Sequence, residues 1–411
     1  MLKFLDGKLD ERIGMEFKVW DWSIPELYGI VLGMMVKLNL AGTLNISKSE
    51  MLDFIIDVEK GYCDTSYHSF YHAVDVVEVL FYMLTNLDAS KYLTALDSIC
   101  LLIAGLCHDI GHVINARTEL AKKYDDQSVL ENYSCTLTLD LITKHKLFRY
   151  IHIDDEYLGC DPKEIENSLR NLIVKIILAT DMTPSSIIIS LDLEQRELLL
   201  KVLIHAADLS NTVRPWDTSK RWSDLIVEEF FNQGDLEKSN NLPVSPNMDR
   251  EQSHQCQISL GFGDFVVKPY FEAFASFLHQ ASIFLDILAD NRRKQLRQLE
   301  FKQEGLLQDG LLHEQQGQQR RVSLAAGLLI IPDDIQEKLR SMSSQRSPRY
   351  RRLKRSLSGR SYSHHSLLPT RNGGRVRRSS SLDHNMIRQI TALYGNGDSS
   401  PTEQRIIVAG S

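Results

Sequence analysis

Apolar and polar positions in this 411-residue chain repeat with the 3.6-residue period of α-helices over most of its length. Residues 49–58, for example, place Met51, Phe54, Ile55 and Val58 at helical spacing behind Ser49, a candidate N-cap. The same pattern predicts further helices over residues 71–84, 95–107, 191–209, 222–231 and 270–288. Strand-like alternation is scarce, so the pattern predicts an all-α body.

The body is expected to span residues 16–306, after an N-terminal lead of residues 1–15. Residues 186–191 are the best candidate for a strand. In residues 307–411 the helical period fades and Gln, Arg and Ser dominate, apart from one weak helix at 333–342. Such a segment buries too little apolar surface to offset its ordering entropy, so we expect a disordered C-terminal tail.

Charge separates the same two regions. The whole chain carries −7, but residues 319–411 hold 17 Lys and Arg against 6 Asp and Glu, a net of +11. Residues 1–318 hold 30 against 48, a net of −18. The six cysteines form no C-x-x-C pair, which excludes a disulfide scaffold and a thiolate zinc site. With no apolar leader or membrane span in the sequence, we expect a cytoplasmic protein with no membrane partner, the nucleus being the alternative.

Histidine and aspartate are concentrated in three stretches of the body. His68 and His72 stand four residues apart, which places them on one face of a helix, and Asp75 follows three residues later. Residues 108–112 read HDIGH, and residues 205–211 read HAADLSN. A single His–Asp pair is commonly an ordinary hydrogen bond. Three such sets on apolar stretches favour a functional site, because charged groups in a core must be paired or bind metal. Imidazole and carboxylate without thiolate suit zinc or another first-row ion, and a carboxylate-rich neighbour suits magnesium or manganese.

These motifs, in this order, resemble the catalytic domain of class I cyclic nucleotide phosphodiesterases. Residues 124–132, 178–182, 229–235 and 245–250 match that family as well. The resemblance implies a compact multi-helix HD-domain fold. It also implies dimetal hydrolysis of the 3′-ester bond of 3′,5′-cyclic nucleotides to nucleoside 5′-monophosphates. We expect cAMP to be favoured over cGMP because of Asn211 and the Arg-Arg-x-Ser kinase sites in the tail, although the family's glutamine pocket can serve either purine.

The resemblance further implies individual roles. Zinc would be held by four ligands, and Asp109 would bridge to a second ion, magnesium or alternatively manganese. His68 would protonate the departing 3′-oxygen as general acid. The implied ligands are His72, His108, Asp109 and Asp208, and the residues that orient water at the second ion are His112, Glu131 and Asp181.

The base pocket departs from the family pattern at one position. Phe262 would stack on the purine, with Ile226 as the opposite wall and Asn211 as a polar contact. The family's purine-reading glutamine falls at Ser259, and Gln257 lies two residues earlier, about 200° round a helix. Either Gln257 serves through a different local backbone, or purine recognition is weakened.

The stretch after His112 departs more strongly. About seven residues containing a Pro-Gly pair are absent by alignment, and small misplacements near a reacting centre cost much of the rate. Tyr133 and Ser134 also replace a usual pair of histidines. Two alternatives to the enzyme therefore stay open: a catalytically impaired relative that binds nucleotide or a partner, and another HD-type phosphohydrolase.

The basic tail contains sites that fit a basophilic kinase. Ser323 follows Arg-Arg-Val, Ser380 follows Arg-Arg-Ser, and Ser358 lies in a looser match. Phosphorylation there by a cAMP-activated kinase would give feedback, whereas any Arg/Ser-rich segment produces such matches by chance. Nucleic-acid binding is disfavoured, because the aromatic residues of a single-strand binder are missing.

Overall fold

The computed structural model describes residues 13–112, 123–124, 127–151, 161–181 and 193–308. Within these ranges the chain forms twelve α-helices and no strand, which confirms the all-α prediction. The helices are α1 (Ile24–Lys37), α2 (Leu40–Leu44), α3 (Lys48–Glu59), α4 (Phe70–Thr85), α5 (Ala95–Cys107), α6 (Val129–His145), α7 (Pro162–Ile177), α8 (Leu193–Asp208), α9 (Trp216–Ser239), α10 (Gln255–Phe262), α11 (Lys268–Phe277) and α12 (Ser282–Gln308).

Helix α3 begins at a capping box. The Ser47 hydroxyl accepts from the Glu50 backbone N–H at 3.2 Å, and the Glu50 carboxylate accepts from the Ser47 backbone N–H at 2.8 Å. The prediction that Ser49 is the N-cap was therefore wrong by two residues. A serine with glutamate three positions later satisfies two helix-end donors at once, which Ser49 does not offer.

The predicted helix over residues 270–288 is two helices in the structure. Leu278 takes an extended conformation between α11 and α12, with φ −103° and ψ 94°, and a short 3₁₀ turn (His279–Ala281) follows it. The Leu278 side chain stays buried. The prediction failed because no glycine or proline marks the break, and the apolar period continues through it.

The core forms where α4 and α5 pack together, with α7 and α8 against them. Val74 and Val77 of α4, Leu101 and Leu102 of α5 and Leu203 of α8 are fully buried. Each such side chain contributes roughly 1.5–3 kcal/mol by leaving water. The central position of these helices places their ends, and the histidines and aspartates there, inside the protein.

The segment before α1 also packs into the interior. Phe17 and Val19 are fully buried, and the Trp20 ring lies 4.5 Å from the Trp222 ring of α9. The guanidinium of Arg221 covers Trp20 at 4.1 Å. This segment is therefore part of the folded body.

Several predictions concern residues outside the described ranges. These are the strand at 186–191, the helix at 333–342, the shortened stretch after His112, the disordered tail, and the kinase sites Ser323, Ser358 and Ser380. Among the helices that are described, none combines the length and apolar character needed to cross a bilayer.

Candidate metal centre

Three central helices bring the predicted metal ligands together at their ends. His72 lies in the first turn of α4, His108 directly follows α5, and Asp208 is the last residue of α8. Asp109 follows His108 as the chain leaves α5. All four side chains are buried, with exposures of 1–4%. We call these four residues the metal-ligand cluster.

The ligand atoms of the metal-ligand cluster face one another. His72 Nε2 lies 3.0 Å from Asp208 Oδ1 and 3.8 Å from Asp109 Oδ2. His108 Nε2 lies 3.0 Å from Asp109 Oδ2 and 3.5 Å from Asp208 Oδ1. Two imidazole nitrogens and two carboxylate oxygens thus surround one point, a donor set that suits a divalent metal ion.

Hydrogen bonding supports a cation at this point. The His108 ring donates through Nδ1 to the Gly105 carbonyl at 2.9 Å, which leaves the lone pair of Nε2 directed at the carboxylates. His108 Nε2, Asp109 Oδ2 and Asp208 Oδ2 are buried and have no hydrogen-bond partner within the described part of the chain. Acceptors packed against acceptors in a core need a proton or a metal ion between them. The residues present therefore fit a divalent cation.

The pKa shifts of His108 and Asp109 also reflect the charges that meet at this point. Burial opposes the charged imidazolium, yet Asp109 and Asp208 outweigh it and raise the pKa of His108 well above its ordinary value. Burial would also raise the pKa of Asp109, but the neighbouring histidines His108 and His68 hold it well below its usual range. Both shifts reflect the pairing of imidazole with carboxylate inside the cluster.

His68 lies beside the cluster and is held by Glu229 of α9. The His68 Nδ1–H donates to Glu229 Oε1 at 2.5 Å, and Glu229 Oε2 accepts from the Tyr67 backbone N–H at 2.8 Å. Burial would raise the pKa of Glu229, but these donors lower it to about 2. His68 Nε2 is buried and finds no hydrogen-bond partner among the residues that the structure describes. This ring nitrogen is thus the one left for a ligand.

The placement of His68 differs from the sequence prediction in one respect. Residues 68 and 72 were expected on one helix face, but α4 begins at Phe70, so His68 precedes the helix. The His68 and His72 ring centroids are 6.3 Å apart. The two histidines still meet, because Glu229 orients His68 from another helix.

His112 stacks on His68. Their rings lie 3.9 Å apart and nearly parallel, and His112 Nδ1 is 3.7 Å from Asp109 Oδ1. Gly111, with φ 78°, makes the turn that brings His112 back towards Asp109. A Cβ at Gly111 would lie 2.5 Å from Leu137, so both the backbone angle and the space require glycine there.

A second group of carboxylates lies near Asp109. Burial raises the pKa of Glu131 to about 7, and the charges of Asp181 and Asp109 add to that shift. Asp181 accepts a hydrogen bond from the Ser128 hydroxyl at 2.5 Å. The structure therefore brings Glu131 into electrostatic reach of both Asp109 and Asp181, two further residues of the predicted two-metal site.

The chain matches the family model described as 3′5′-cyclic nucleotide phosphodiesterase over residues 67–288. The chain belongs to this family. The matched range begins at Tyr67 and contains every residue of the metal-ligand cluster.

Relatives and solved structures agree with this membership. The chain is 32% identical to 3′,5′-cyclic-nucleotide phosphodiesterase regA of Dictyostelium discoideum, over 72% of this chain and 39% of that protein. It is 31% identical to the high affinity cGMP-specific 3′,5′-cyclic phosphodiesterase 9A of Mus musculus, over 62% of this chain and 50% of that protein. The phosphodiesterase domain of the RhoPDE fusion protein from Salpingoeca rosetta matches with TM-score 0.63 and 28% identity, over 72% of this chain and 98% of that domain. The chain thus spans half or less of these two curated relatives.

The predicted base-pocket residues lie on α9, α10 and the turn after α8. Ile226 and Phe262 are half-buried. Asn211 donates to the Tyr67 hydroxyl and, at 3.3 Å, to the Asp208 carbonyl, so it is tied to the metal-ligand cluster. The Ser259 hydroxyl lies 2.7 Å from the Ser223 hydroxyl of α9.

Helix α10 carries a second glutamine, Gln255, that the sequence analysis did not identify as a candidate. Gln257 is exposed. Gln255 instead shares a face with Ser259 and donates to the same Ser223 hydroxyl at 3.1 Å. The four-residue spacing between Gln255 and Ser259 was the available signal. Glu229 was also missed as a partner of His68, although it begins one of the matching motifs.

Proposed function

We propose that this chain hydrolyses the 3′-ester bond of 3′,5′-cyclic nucleotides and releases nucleoside 5′-monophosphates. The observation that carries the proposal is the convergence of His72, His108, Asp109 and Asp208 on one buried point next to His68. Membership of the phosphodiesterase family supports the same reaction. Residues 16–306 would form the catalytic domain.

The metal-ligand cluster would hold zinc, and magnesium would lie on the side of Asp109 that faces Glu131 and Asp181. Neutral imidazole with carboxylate suits zinc, and a carboxylate-rich, hydrated site suits magnesium. Such ions lower the pKa of bound water and neutralise charge on a phosphoryl group. His112, beside Asp109, would help to orient water there.

His68 would act as the general acid. Burial and His112 lower the pKa of His68, and Glu229, which holds its Nδ1–H, opposes that shift and fixes the direction of the ring. A proton on Nε2 would then pass to the departing 3′-oxygen, because among the described residues this nitrogen has no hydrogen-bond partner. Glu229 is a positioning residue in this scheme.

Substrate recognition would combine stacking with hydroxyl contacts. Phe262 and Ile226 would hold the base between them, and the Ser223 and Ser259 hydroxyls would face its polar edge. Gln257, which is exposed, would need a different local backbone to reach the base. We expect cAMP to be the preferred substrate, and cGMP is the comparison that tests this.

The test is hydrolysis of cAMP and of cGMP by the full chain with Zn²⁺ and Mg²⁺. We expect His68→Ala to lower kcat about 10²–10⁴-fold, the usual contribution of a general acid. His145→Ala is the matched control, since His145 pairs with Asp57 on α3 and contacts no ligand of the cluster. It should retain wild-type turnover.

Three outcomes would contradict the proposal. If His68→Ala were as active as wild type, His68 would not be the general acid. Cyclic nucleotide binding without turnover by the wild-type chain would favour the impaired relative. Turnover of non-cyclic nucleoside phosphates alone would favour another HD-type phosphohydrolase.

A further inference from the structure

Arg214 is a fully buried arginine that the reaction does not use. It lies six residues after the ligand Asp208, at the end of a 3₁₀ turn (Leu209–Val213) that joins α8 to α9. A buried guanidinium requires opposite charge and hydrogen-bond acceptors, so its partners show which parts of the chain it connects.

The partners of Arg214 come from two other segments. Its Nη1 donates to Glu78 Oε2 at 2.8 Å, and its Nη2 lies 3.3 Å from Asp75 Oδ1, both on α4. Nη2 also donates to the Phe17 carbonyl at 2.8 Å. Glu78 and Asp75 are themselves buried, with exposures of 0% and 2%.

The contacts continue from Asp75 to the metal-ligand cluster. Asp75 lies three residues after His72 on α4, and Asp75 Oδ2 accepts from Trp222 Nε1 at 3.1 Å. The Trp222 ring lies 5.5 Å from the His72 ring and 5.4 Å from the Tyr67 ring. We call Arg214, Asp75, Glu78 and Trp222 the Arg214 network.

The backbone of Arg214 is fixed from the opposite side. Asn291 of α12 donates to the Arg214 carbonyl at 2.8 Å and to the Thr212 carbonyl at 3.1 Å. The segment that follows Asp208 is therefore anchored at its main chain, and its one buried arginine reaches across to the helix that carries His72.

We propose that Arg214 is a positioning residue that sets His72 against Asp208, so that the two ligands meet at the distance a metal ion requires. The inference rests on the metal centre of the proposed function. Arg214 touches neither ligand; it acts by holding α4, the segment after α8 and the N-terminal segment in one arrangement.

The planar fork of the guanidinium explains the choice of arginine. Its Nη1 donates to Glu78 and its Nη2 to the Phe17 carbonyl, while Asp75 Oδ1 lies within ion-pair distance of Nη2, a set of directions that a lysine ammonium cannot match. Groups that orient metal ligands typically change metal affinity by about 10–100-fold when replaced. Arg214→Lys keeps the positive charge but removes the forked guanidinium. A change in Zn²⁺ affinity in this variant therefore reports the loss of the hydrogen-bond geometry, not of the charge.

The experiment is calorimetric titration of the metal-stripped full chain with Zn²⁺, alongside far-UV circular dichroism and denaturant unfolding. We expect Arg214→Lys to weaken the first Zn²⁺ binding event at least about tenfold. Arg170→Lys is the matched control: Arg170 forks onto Glu166 at 2.7 and 2.9 Å, and its partners include no cluster residue. It should change Zn²⁺ affinity less than about twofold.

Asp75→Asn provides a second test that preserves volume and the acceptor for Trp222. It should also weaken Zn²⁺ binding several-fold while the chain stays folded, and it carries the test if Arg214→Lys does not fold. Folded variants at both positions with wild-type Zn²⁺ affinity would overturn the inference, leaving only a contribution to stability.

The experiments can contradict the proposed function and the positioning role of Arg214 independently of each other. A wild-type chain that binds Zn²⁺ but hydrolyses neither cyclic nucleotide would overturn the activity, while the effect of Arg214→Lys on Zn²⁺ affinity would still support the positioning role. A wild-type chain that binds no Zn²⁺ would overturn both.

Discussion

The metal-ligand cluster and the Arg214 network are two buried groups of charge that meet on helix α4, and each places two carboxylates beside basic side chains. In the metal-ligand cluster the protein offers only imidazoles, His72 and His108, to Asp109 and Asp208. In the Arg214 network it offers a guanidinium to Asp75 and Glu78. Helix α4 contributes to both.

The difference between the two groups separates a binding site from a structural one. Burial opposes a charged guanidinium, but Asp75 and Glu78 outweigh it and raise the pKa of Arg214, so its positive charge is permanent. An imidazole can give up its proton and bind a metal ion through the same nitrogen. Buried carboxylates that face histidine thus leave room for a metal ion, whereas those that face arginine already have a permanent cation, although one guanidinium balances only one of the two negative charges.

The largest effect is expected from a substitution that breaks the metal-ligand cluster. Asp208→Asn should lower cyclic nucleotide hydrolysis by about 10³-fold, because metal ions supply several kcal/mol of transition-state stabilisation and each 1.36 kcal/mol is tenfold. It should also abolish most of the stabilisation by Zn²⁺, which for wild type is about 4 kcal/mol at 1,000 times Kd. Turnover assays and denaturant unfolding with and without Zn²⁺ measure both.

Asp97→Asn is the control for that change. Asp97 is a buried aspartate on α5 that accepts from the Thr94 backbone N–H at 2.9 Å in a capping box. Its loss should cost about 1 kcal/mol of stability yet leave the response to Zn²⁺ intact. An equal loss of the Zn²⁺ response in both variants would show that Asp208 is not a specific ligand.

The next largest effect is expected from a substitution that breaks the Arg214 network. Arg214→Met should lower the free energy of unfolding by about 3–5 kcal/mol, because it leaves Asp75 and Glu78 buried without their cation. Arg170→Met removes a half-buried pair and should cost no more than about 1 kcal/mol. Urea unfolding of the metal-free chains compares the two, and equal losses would contradict the distinct role of Arg214.

The smallest effect concerns the surplus carboxylate of the Arg214 network. Burial raises the pKa of Glu78 to about 7, against the opposing charge of Arg214 and with the added charge of Asp75. A carboxyl whose pKa is raised on folding binds its proton more tightly in the folded state, so stability falls as pH rises from about 4.5 to about 7. Glu78→Gln lacks this carboxyl and therefore lacks its contribution to the pH dependence of stability.

The measurement is the unfolding free energy of wild type minus that of Glu78→Gln across this pH window. The difference should fall by at most about 3 kcal/mol between pH 4.5 and 7 and then level off, since each pKa unit corresponds to 1.36 kcal/mol. A difference that stays flat with pH would mean that Glu78 ionises freely beside Arg214.

The sequence predicted the helices best where local signals agree. The predicted bounds of α5 match the structure, since the Thr94–Asp97 capping box and an apolar run point to the same start. The histidine and aspartate motifs could be placed near one another, because each falls at the end of an apolar helix. Pairwise distances such as His72 to Asp208 depend on how three helices pack, which local patterns do not contain.

Long-range partners were out of reach for the same reason. Nothing in residues 205–214 indicates that Arg214 faces Asp75, 139 positions earlier, rather than solvent. Glu229 likewise meets His68 only through the packing of α9. The break at Leu278 has no sequence marker, because tertiary packing outweighs local propensity there.

The buried position of Phe17 limits how far the chain can be shortened from its N-terminus. The match to the family model starts at Tyr67, yet the Phe17 carbonyl receives a hydrogen bond from Arg214 in the interior. A recombinant fragment trimmed to residues 67–288 would therefore remove a wall of the protein and let water reach the guanidinium. Expression boundaries, purification tags and fusion joints belong on the N-terminal side of Phe17.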